Sequence, residues 1–366
     1  MLRRRNPPRP RTPAEPYADR LSRVRALLGR RRLDGYLVLD RMDQYWLTGF
    51  TGEDGGVLVT DSAVVLLTDG RFEEAADLEA PWARRVIRRK RGPDSIARVL
   101  KRYKLRRVGF EPAHMNVELH AELRKLVRRA RLVPGRDLIG QMRLCKDEFE
   151  IAAIRRAIHV AQQAFELVRR WVAPGRSERQ IAARLSYELQ RRGAQGPAFA
   201  PIVAAGANAS RPHYQPGDAR IRAGDGVLID WGARVGWYVS DLTRMVWPAS
   251  MPRSIGRIYN VVKEAHDRAI AVLRPGVKAS AVDRVARQTI GRAGFGKRFN
   301  HALGHGIGLS VHEGPRLGRG AEGRLRPGMV VTIEPGVYLP GQGGVRIESD
   351  VLVTESGCEV LSTLPY

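Results

Sequence analysis

Two stretches decide the fold of this 366-residue chain: Gly226-Val-Leu-Ile-Asp230 and Met329-Val-Val-Thr-Ile-Glu334. Each is a short apolar run that ends in an acid, which is typical of a buried β-strand. Glycine-containing turns follow both runs, and a second short strand then leads to Asp241 in one case and to Glu348 in the other. We therefore predict two antiparallel hairpins, each of which presents two carboxylates side by side.

The two hairpins are related by an internal repeat with an offset of 104 residues. Arg222-Ala-Gly224 precedes Asp230 by the same number of positions as Arg326-Pro-Gly328 precedes Glu334. A period this long does not fit a solenoid. Two related halves that face each other across a pseudo-two-fold axis would instead bring the two pairs of acids together.

Four of the eight histidines, His213, His301, His305 and His312, lie in the same part of the chain as the acids. One of them, His305, stands in Gly304-His-Gly-Ile-Gly308, where flanking glycines would let the backbone approach a ligand closely. Carboxylates crowded together raise each other's pKa and repel, so four of them beside an imidazole favour bound cations. Two metals about 3.5–4 Å apart that hold a hydrolytic water are the usual chemistry of such a cluster.

The first third of the chain alternates short apolar strands with helical patterns, which predicts an α/β domain. The predicted strands there are 35–39, 56–60, 63–67 and 108–110, and the predicted helices are 17–32, 72–78, 93–103 and 117–129. Farther along, helical periodicity predicts helices over 146–170, 177–192, 254–273 and 280–293. Ser177 and Gln180 have the spacing of a capping box. The second domain is therefore expected to be α+β, with helices outside an antiparallel sheet.

The composition sets further bounds on the chain. The net charge is +25, but arginine supplies 55 of the 63 basic residues. We interpret this charge as dispersed and compositional, with the runs 84–90 and 128–131 as solvated faces, and expect no specific nucleic-acid partner. No apolar stretch has membrane-spanning length, so no membrane partner is expected. The two cysteines, Cys145 and Cys358, form no disulfide framework, which fits a reducing cytoplasm.

Several motifs together resemble a known superfamily. In chain order, they are two aspartates eleven residues apart, the motif GHGIG, a second histidine seven residues after the histidine of that motif, and the motifs TIEPG and RIE. This set resembles the pita-bread metallopeptidases, and within them the Xaa-Pro aminopeptidases and dipeptidases (aminopeptidase P and prolidase relatives). The resemblance covers roughly residues 140–366 and, more weakly, 18–135, where Tyr45–Phe50 and Thr68–Phe72 carry it.

The resemblance implies a specific architecture. A pita-bread domain, which is a pseudo-two-fold antiparallel sheet with outer helices, would occupy residues 138–366. A smaller α/β creatinase-like domain would precede it over residues 17–135, with residues 134–137 as the linker. Residues 1–16, rich in proline and arginine, are predicted to be a disordered tail.

The resemblance also implies a role for each residue of the site. The residues implied to bind two divalent metals are Asp230, Asp241, His305, Glu334 and Glu348, with Asp241 and Glu348 as bridges. The residues implied to contact or support the substrate are His213, His312, His301, Tyr338 and Arg346. Of these, His213 and His312 would be catalytic, and Glu334 could also carry a proton to the leaving nitrogen. One departure is visible, because Ser349 stands where the family often has an aspartate.

The predicted function is a metal-dependent exopeptidase that hydrolyses the bond between an N-terminal residue and a following proline. A hydroxide bridging the two metals would attack the scissile carbonyl. The oxygen-rich ligand set favours Mn²⁺, with Zn²⁺, Co²⁺ or Fe²⁺ left open. The resemblance implies a cytoplasmic homodimer, and the sequence does not separate an aminopeptidase from a dipeptidase.

Three other functions stay open. A methionine aminopeptidase would share the metal ligands but would not need the N-terminal domain. A creatinase-like hydrolase would share the two-domain plan, although it characteristically lacks the metal ligands. A non-enzymatic pita-bread module that binds nucleic acid or protein would fit the basic charge, although such modules usually show eroded ligands.

Overall fold

The alternating strands and helices of the first third fold into a mixed six-stranded sheet flanked by helices. The computed structural model describes residues 12–89, 92–135, 137–251 and 253–366, and it divides between Met142 and Arg143 into two units. In the described part of the first unit, the helices α1–α6 are Tyr17–Arg31, Arg41–Thr48, Glu73–Glu79, Gly92–Arg102, Val117–Leu126 and Leu138–Arg143. The strands β1–β6 there are Gly35–Val38, Gly56–Thr60, Val64–Asp69, Arg84–Arg88, Arg107–Phe110 and Arg131–Pro134.

The sheet of the first unit has the strand order β4-β3-β2-β1-β5-β6. Strands β1, β2 and β3 are antiparallel neighbours, whereas β4, β5 and β6 join the sheet in parallel. Leu37, Leu58 and Val65 lie in one apolar core with Leu100 from α4 and Leu123 from α5. The predicted α/β character of this part of the chain therefore follows from helices that cover a largely buried sheet.

Four elements of the first unit were not predicted from the sequence: α2, β4, β6 and α6. Residues 84–88, interpreted as a solvated face, form the edge strand β4 paired with β3, while Lys90 lies outside the described residues. Helix α2 was not predicted, although Asp40 caps it by accepting the Asp43 N–H at 2.9 Å. The arginines of β4 stay partly exposed at the sheet edge, which is why their pattern resembles a surface. Residues 1–11 of the predicted tail lie outside the described residues, and 12–16 lead through a turn into α1.

The second unit contains four long helices and, within its described residues, four sheets of three, three, five and two strands. Its helices α7–α10 are Glu148–Val168, Glu178–Arg191, Arg253–Ala271 and Ala279–Arg292. Its first strands, β7–β12, are Gly196–Pro197, Ile202–Ala205, Val227–Trp231, Ala233–Val235, Tyr238–Val239 and Leu242–Val246. Its remaining strands, β13–β19, are Gly304–Gly306, Glu313–Leu317, Val330–Ile333, Gly336–Leu339, Gly343–Arg346, Ser349–Val353 and Cys358–Val360. These helices agree with the predicted ones to within a few residues at each end.

Each half of the second unit packs a helix pair against its own sheet. In the first half, α7 and α8 form a core with β8 and β9, where the Trp231 ring stacks on Phe165 at 4.3 Å between centroids. In the second half, α9 and α10 form a core with β15, β16 and β17. An isolated bridge between Thr243 and Glu348 joins the β12-β9-β8 sheet to the start of β18 in the β14-β13-β15-β18-β19 sheet. This arrangement is the pseudo-two-fold relation that the internal repeat predicts.

The capping box predicted at the start of α8 is confirmed. The Gln180 N–H donates to the Ser177 hydroxyl at 3.2 Å, and the Ser177 N–H donates to the Gln180 side chain at 2.9 Å. Within the described residues, no helix is both long and apolar enough to cross a membrane.

Candidate metal centre

The four acids lie where strands of the two sheets meet. Asp230 lies in β9 opposite Thr243 of β12, and Asp241 lies immediately before β12. Glu334 directly follows β15, and Glu348 directly precedes β18, which pairs with β15. Because the bridge from Thr243 to Glu348 ties the sheets together at this point, acids from both hairpins line one cavity of about 440 Å³.

His305 completes the cluster from strand β13. Its Nε2 atom lies 3.8 Å from Asp241 Oδ2 and 3.4 Å from Glu334 Oε1. Asp241, His305 and Glu348 each place one potential metal-ligand atom within 4.8 Å of those of the other two residues. Asp230 lines the same cavity, so the structure brings all five predicted ligands together.

The glycines beside His305 pack against neighbouring strands. A Cβ atom at Gly304 would lie 1.9 Å from the Thr332 carbonyl oxygen of β15. A Cβ atom at Gly306 would lie 1.8 Å from the Gly314 carbonyl oxygen of β14. Both glycines therefore let neighbouring strands approach β13 closely. Protein backbone fills the space where their Cβ atoms would lie, so this packing requires glycine at both positions.

Burial perturbs every ionisable group of the cluster in the metal-free protein. Burial, followed by the charges of Glu348 and Asp230, raises the pKa of Asp241 well above its ordinary value. Burial likewise raises the pKa of Glu348 strongly and that of Glu334 to about 8, although Arg346 opposes both shifts. Burial therefore disfavours the charged form of these carboxylates, and a bound cation would oppose that effect.

The tautomer of His305 fits a metal ligand. Its Nδ1 atom lies 3.1 Å from the Gly306 carbonyl oxygen, which can only accept, so Nδ1 carries the proton. Burial and the neighbouring His312 lower the pKa of His305 to about 4, so the ring is neutral near pH 7. The lone pair on Nε2 is then directed towards Asp241 and Glu334. Imidazole held in one tautomer by a backbone carbonyl is the usual form of a histidine ligand.

Orphaned oxygen atoms provide a second test of whether metals fit here. Among the described residues, Asp230 Oδ1 and Asp241 Oδ1 are buried without a hydrogen-bond partner. Buried polar atoms without partners are rare in native proteins and call for an explanation. Four carboxylates and one imidazole form an oxygen-rich donor set that suits hard or borderline divalent cations. The residues present therefore fit a divalent metal site.

Arg346 supports the cluster from one side. Its Nη2 atom donates to Asp230 Oδ2 at 2.5 Å, and its Nε atom donates to Thr243 Oγ1 at 3.1 Å. Thr243 in turn donates to Glu348 Oε2 at 2.7 Å. With 3% of its surface exposed, Arg346 is almost entirely committed to these partners. It neutralises part of the carboxylate charge and fixes the orientation of two acids.

Three further histidines line the cavity. His301 Nδ1 donates to the Ala302 carbonyl oxygen at 2.8 Å, so its Nε2 accepts from the Tyr338 hydroxyl at 2.9 Å. Tyr338 itself accepts from Arg346 Nη1 at 2.9 Å. The His312 ring lies 4.3 Å from the His305 ring, and His213 lies in the cavity wall. The structure therefore brings all the predicted substrate residues to the site, with Tyr338 reaching it through His301.

Asp350 is a supporting residue that sequence reasoning missed. It is fully buried in β18, and its Oδ2 atom accepts the Asp241 backbone N–H at 3.1 Å. Burial raises its pKa to about 8. Because the family's aspartate is absent at Ser349, an acid two residues after Glu348 was overlooked.

A second missed group is an ion-pair cluster beside His312. Glu313 Oε1 lies 2.8 Å from Lys146 Nζ, and Glu313 Oε2 lies 2.6 Å from Arg143 Nη2. The Lys146 side chain is only 1% exposed, so this pair is well shielded from water. The contact joins residues separated by 170 positions in sequence. It holds the segment that carries His312, and no local motif could have predicted it.

Glu178 holds the loop that carries His213 in a similar way. It is fully buried at the start of α8. Its Oε1 atom accepts from Asn208 Nδ2 at 2.9 Å, and its Oε2 atom accepts from the Tyr214 hydroxyl at 2.7 Å and the Gly217 N–H at 3.2 Å. A carboxylate satisfied by several donors from one loop fixes that loop's position.

The family of the chain follows from comparison with known proteins. The model of metallopeptidase family M24 matches residues 152–355, which contain all five clustered ligands. The model of the Creatinase/Prolidase N-terminal domain matches residues 20–145. The chain therefore belongs to metallopeptidase family M24, and its fold is a pita-bread domain preceded by a creatinase-type domain, as predicted.

Relatives of this chain cover almost its whole length. It is 34% identical over 345 residues to the Xaa-Pro dipeptidase of Pyrococcus horikoshii, covering 94% of this chain and 97% of that protein. The solved Xaa-Pro dipeptidase from Bacillus anthracis superposes with a TM-score of 0.92 at 32% identity, covering 95% and 98% of the two chains. The X-Pro aminopeptidase from Thermotoga maritima gives a TM-score of 0.88 at 33% identity, with the same coverage.

The raised carboxylate pKa values predict how pH affects the metal-free protein. An unfolded glutamate has a pKa of about 4.3, whereas folded Glu334 has a pKa of about 8. Folding favours the protonated form of the Glu334 side chain. The contribution of this side chain to the free energy of unfolding is therefore complete below about pH 4.3, and it disappears as the pH rises through about 8. We expect the melting temperature of chelator-treated protein to fall between about pH 5 and about pH 8, and added Mn²⁺ to restore it most at the higher pH.

The Glu334→Gln variant is the matched control, because it keeps the side-chain shape and removes the titration. Its metal-free melting temperature should change less over the same pH interval than that of the wild type. Equal pH dependence in the two proteins would contradict the assignment of this shift to Glu334.

Proposed function

We propose that this protein is a dinuclear metal-dependent peptidase that hydrolyses the bond between an N-terminal residue and a penultimate proline. The observation that carries the proposal is the neutral His305 Nε2 directed at buried carboxylates in a cavity of about 440 Å³. Its membership of metallopeptidase family M24 supports the hydrolytic chemistry. Relatives named Xaa-Pro dipeptidase and X-Pro aminopeptidase support the substrate class.

The proposed ligands are the five clustered residues, with Asp241 and Glu348 as the bridging carboxylates. The pKa values of these two acids are strongly raised, first by burial and then by the charges of neighbouring acids. When bound, the metals supply a water of lowered pKa as the nucleophile. Mn²⁺ is the proposed native metal because the donor set is rich in oxygen, and Zn²⁺, Co²⁺ and Fe²⁺ are the alternatives.

Three residues of this chain are proposed to act on the substrate directly. His312, beside His305 and open to the cavity, is proposed to donate a hydrogen bond to the developing oxyanion. Glu334 is proposed to carry the proton to the leaving imino nitrogen. His213, in the cavity wall, is proposed to orient the scissile carbonyl.

The proline side of the substrate is proposed to lie against His301. Arg346 donates to Tyr338, and Tyr338 donates to His301 Nε2. The imidazole ring of His301 is therefore held in one orientation and presents its face, not a free N–H group, to the cavity. Phe199, Ile202 and Pro212 add apolar surface to the same cavity. A pyrrolidine ring, which has no N–H to satisfy, suits a wall of this kind.

Several finer features are also part of the proposal. The domain limits are 17–135 and 138–366, supported by the division of the structure between Met142 and Arg143. The protein is proposed to act in the cytoplasm as a homodimer, on dipeptides or longer peptides. The modest cysteine content and the resemblance support these assignments.

Removal of a bridging carboxylate should abolish activity. Glu348→Ala removes one of the carboxylates that would hold the metals, so we expect no measurable turnover and less bound metal by elemental analysis. Glu359→Ala is the control, because Glu359 is an acid near the same end of the chain that pairs with Arg155 on the surface. Wild-type activity and two bound metals in Glu348→Ala would show that the ligand assignment is wrong.

Loss of His312 should reduce catalysis without reducing metal content. A missing transition-state hydrogen bond lowers kcat by ~10²–10³-fold. The exposed His159 of α7 provides the matched control, and His159→Ala should behave like the wild type. A parallel loss of metal in His312→Ala would identify this residue as a ligand instead and would transfer its catalytic role to His213.

The substrate assignment is tested with peptide pairs. The protein should cleave Ala-Pro peptides faster than matching Ala-Ala peptides, by a factor that corresponds to about 1–3 kcal/mol. It should not cleave when the N-terminus is acetylated, because the free amine is expected to lie beside the metals. Rapid cleavage of acetylated or proline-free peptides would contradict the Xaa-Pro specificity. It would not contradict the proposal that the protein is a metal-dependent hydrolase.

A further inference from the structure

The positive charge of the chain is concentrated in one segment of the first unit. Residues 84–131 carry 17 Lys and Arg against 4 Asp and Glu, in a chain with 63 and 38 of them in total. About half of the net charge of +25 therefore falls within this segment. The interpretation of the charge as dispersed along the chain is wrong for this part of the molecule.

The fold gathers these cations around two adjoining clefts. One cleft, of about 830 Å³, lies where the ends of α4 and α5 approach each other. The other, of about 570 Å³, shares Arg106, Arg128 and Arg129 with the first. Together they form a surface that we name the basic cleft, lined by Lys101, Lys104, Arg106, Arg124, Lys125, Arg128, Arg129 and Arg131.

These eight cations differ from other cations of the first unit in their surroundings. All eight are exposed, and neither cleft is lined by an aspartate or glutamate. Within the described residues, none of the eight forms an ion pair with a carboxylate. Other arginines of the same unit behave differently, since Arg71 lies 2.7 Å from Asp69 and Arg85 lies 3.1 Å from Glu73.

Helix dipoles account for only part of this arrangement. Lys101, Arg124 and Lys125 lie in the last turns of α4 and α5, where cations offset the negative end of the helix. Lys104, Arg106 and the cations at 128–131 lie beyond those helices and gain nothing from the dipoles. Their mutual repulsion is a free-energy cost that a bound polyanion would remove.

We propose that the basic cleft binds the phosphate backbone of single-stranded nucleic acid. A single strand carries one negative charge per nucleotide and is thin enough to enter a concave groove, which a duplex or a flat bilayer is not. The floor of the cleft includes the partly exposed Leu105 and Leu126, which can contact unpaired bases. No aromatic side chain other than that of His120 lines either cleft within the described residues, so stacking would add little and phosphate contacts would supply most of the affinity.

The test compares two variants of equal net charge. Lys104→Gln/Arg106→Gln/Arg128→Gln/Arg129→Gln removes four charges from the basic cleft. The control Arg191→Gln/Arg274→Gln/Arg284→Gln/Arg292→Gln removes four exposed charges from the second unit. Binding of a fluorescent 12-nucleotide single-stranded RNA is followed by anisotropy across a salt series. Peptidase activity and melting temperature, measured on the same samples, should match the wild type in both variants.

The wild type should bind this RNA with a dissociation constant of about 10⁻⁴–10⁻⁶ M at physiological salt. The slope of log K against log salt should fall by about 3 in the cleft variant and change little in the control, because each lost phosphate contact contributes about 0.7. In the double variant Lys104→Gln/Arg129→Gln, the salt slope should fall by about half as much as in the quadruple variant. This variant keeps the test available if the quadruple variant fails to fold.

Three outcomes would overturn the proposal. One is absence of RNA binding by the wild type at low salt. Another is an equal loss in the cleft and control variants, since net charge alone would then explain the binding. The third is tighter binding of polyglutamate, or of phosphatidylserine vesicles, at the same concentration of negative charge.

Discussion

The mutual repulsion of four buried carboxylates is the constraint on which the catalytic unit depends. In the metal-free protein, burial and mutual charge raise the pKa values of Asp241, Glu334 and Glu348, and Arg346 offsets only part of this cost. Divalent cations remove it, because they replace both the protons and the missing hydrogen-bond partners of Asp230 and Asp241. The feature that destabilises the empty site is therefore the one that gives it affinity for metal.

Two related halves are needed to build this site. Each hairpin supplies two acids at the end of a strand, and the bridge between Thr243 and Glu348 joins the halves where those acids meet. Close strand packing at Gly304 and Gly306 then sets the position of His305. More distant contacts fix the loops, since Glu313 anchors the segment of His312 and Glu178 anchors that of His213. The geometry of the centre is thus distributed over many elements of the second unit.

The two units concentrate charge of opposite sign in concave spaces. The acids of the second unit are buried, so their interaction is strong and selects small cations. The bases of the first unit are exposed and screened by salt, so a partner would bind them weakly and with strong dependence on ionic strength. Repulsion between like charges destabilises both clusters when no partner is bound. The deeper a cluster is buried, the larger is the free energy that it gains when a partner of opposite charge binds.

The sequence by itself determined that strands lead to the acids, where the helices of the second unit lie, and which acids cluster. These features depend on local periodicity and on a repeat that is visible along the chain. It did not reveal helix α2, the edge strand β4, the support of Asp241 by Asp350, or the pairing of Glu313 with Lys146 and Arg143. Those features depend on which surfaces meet in space. Only the tertiary structure decided that the glycines beside His305 admit neighbouring strands, because the contact partners lie far away in the sequence.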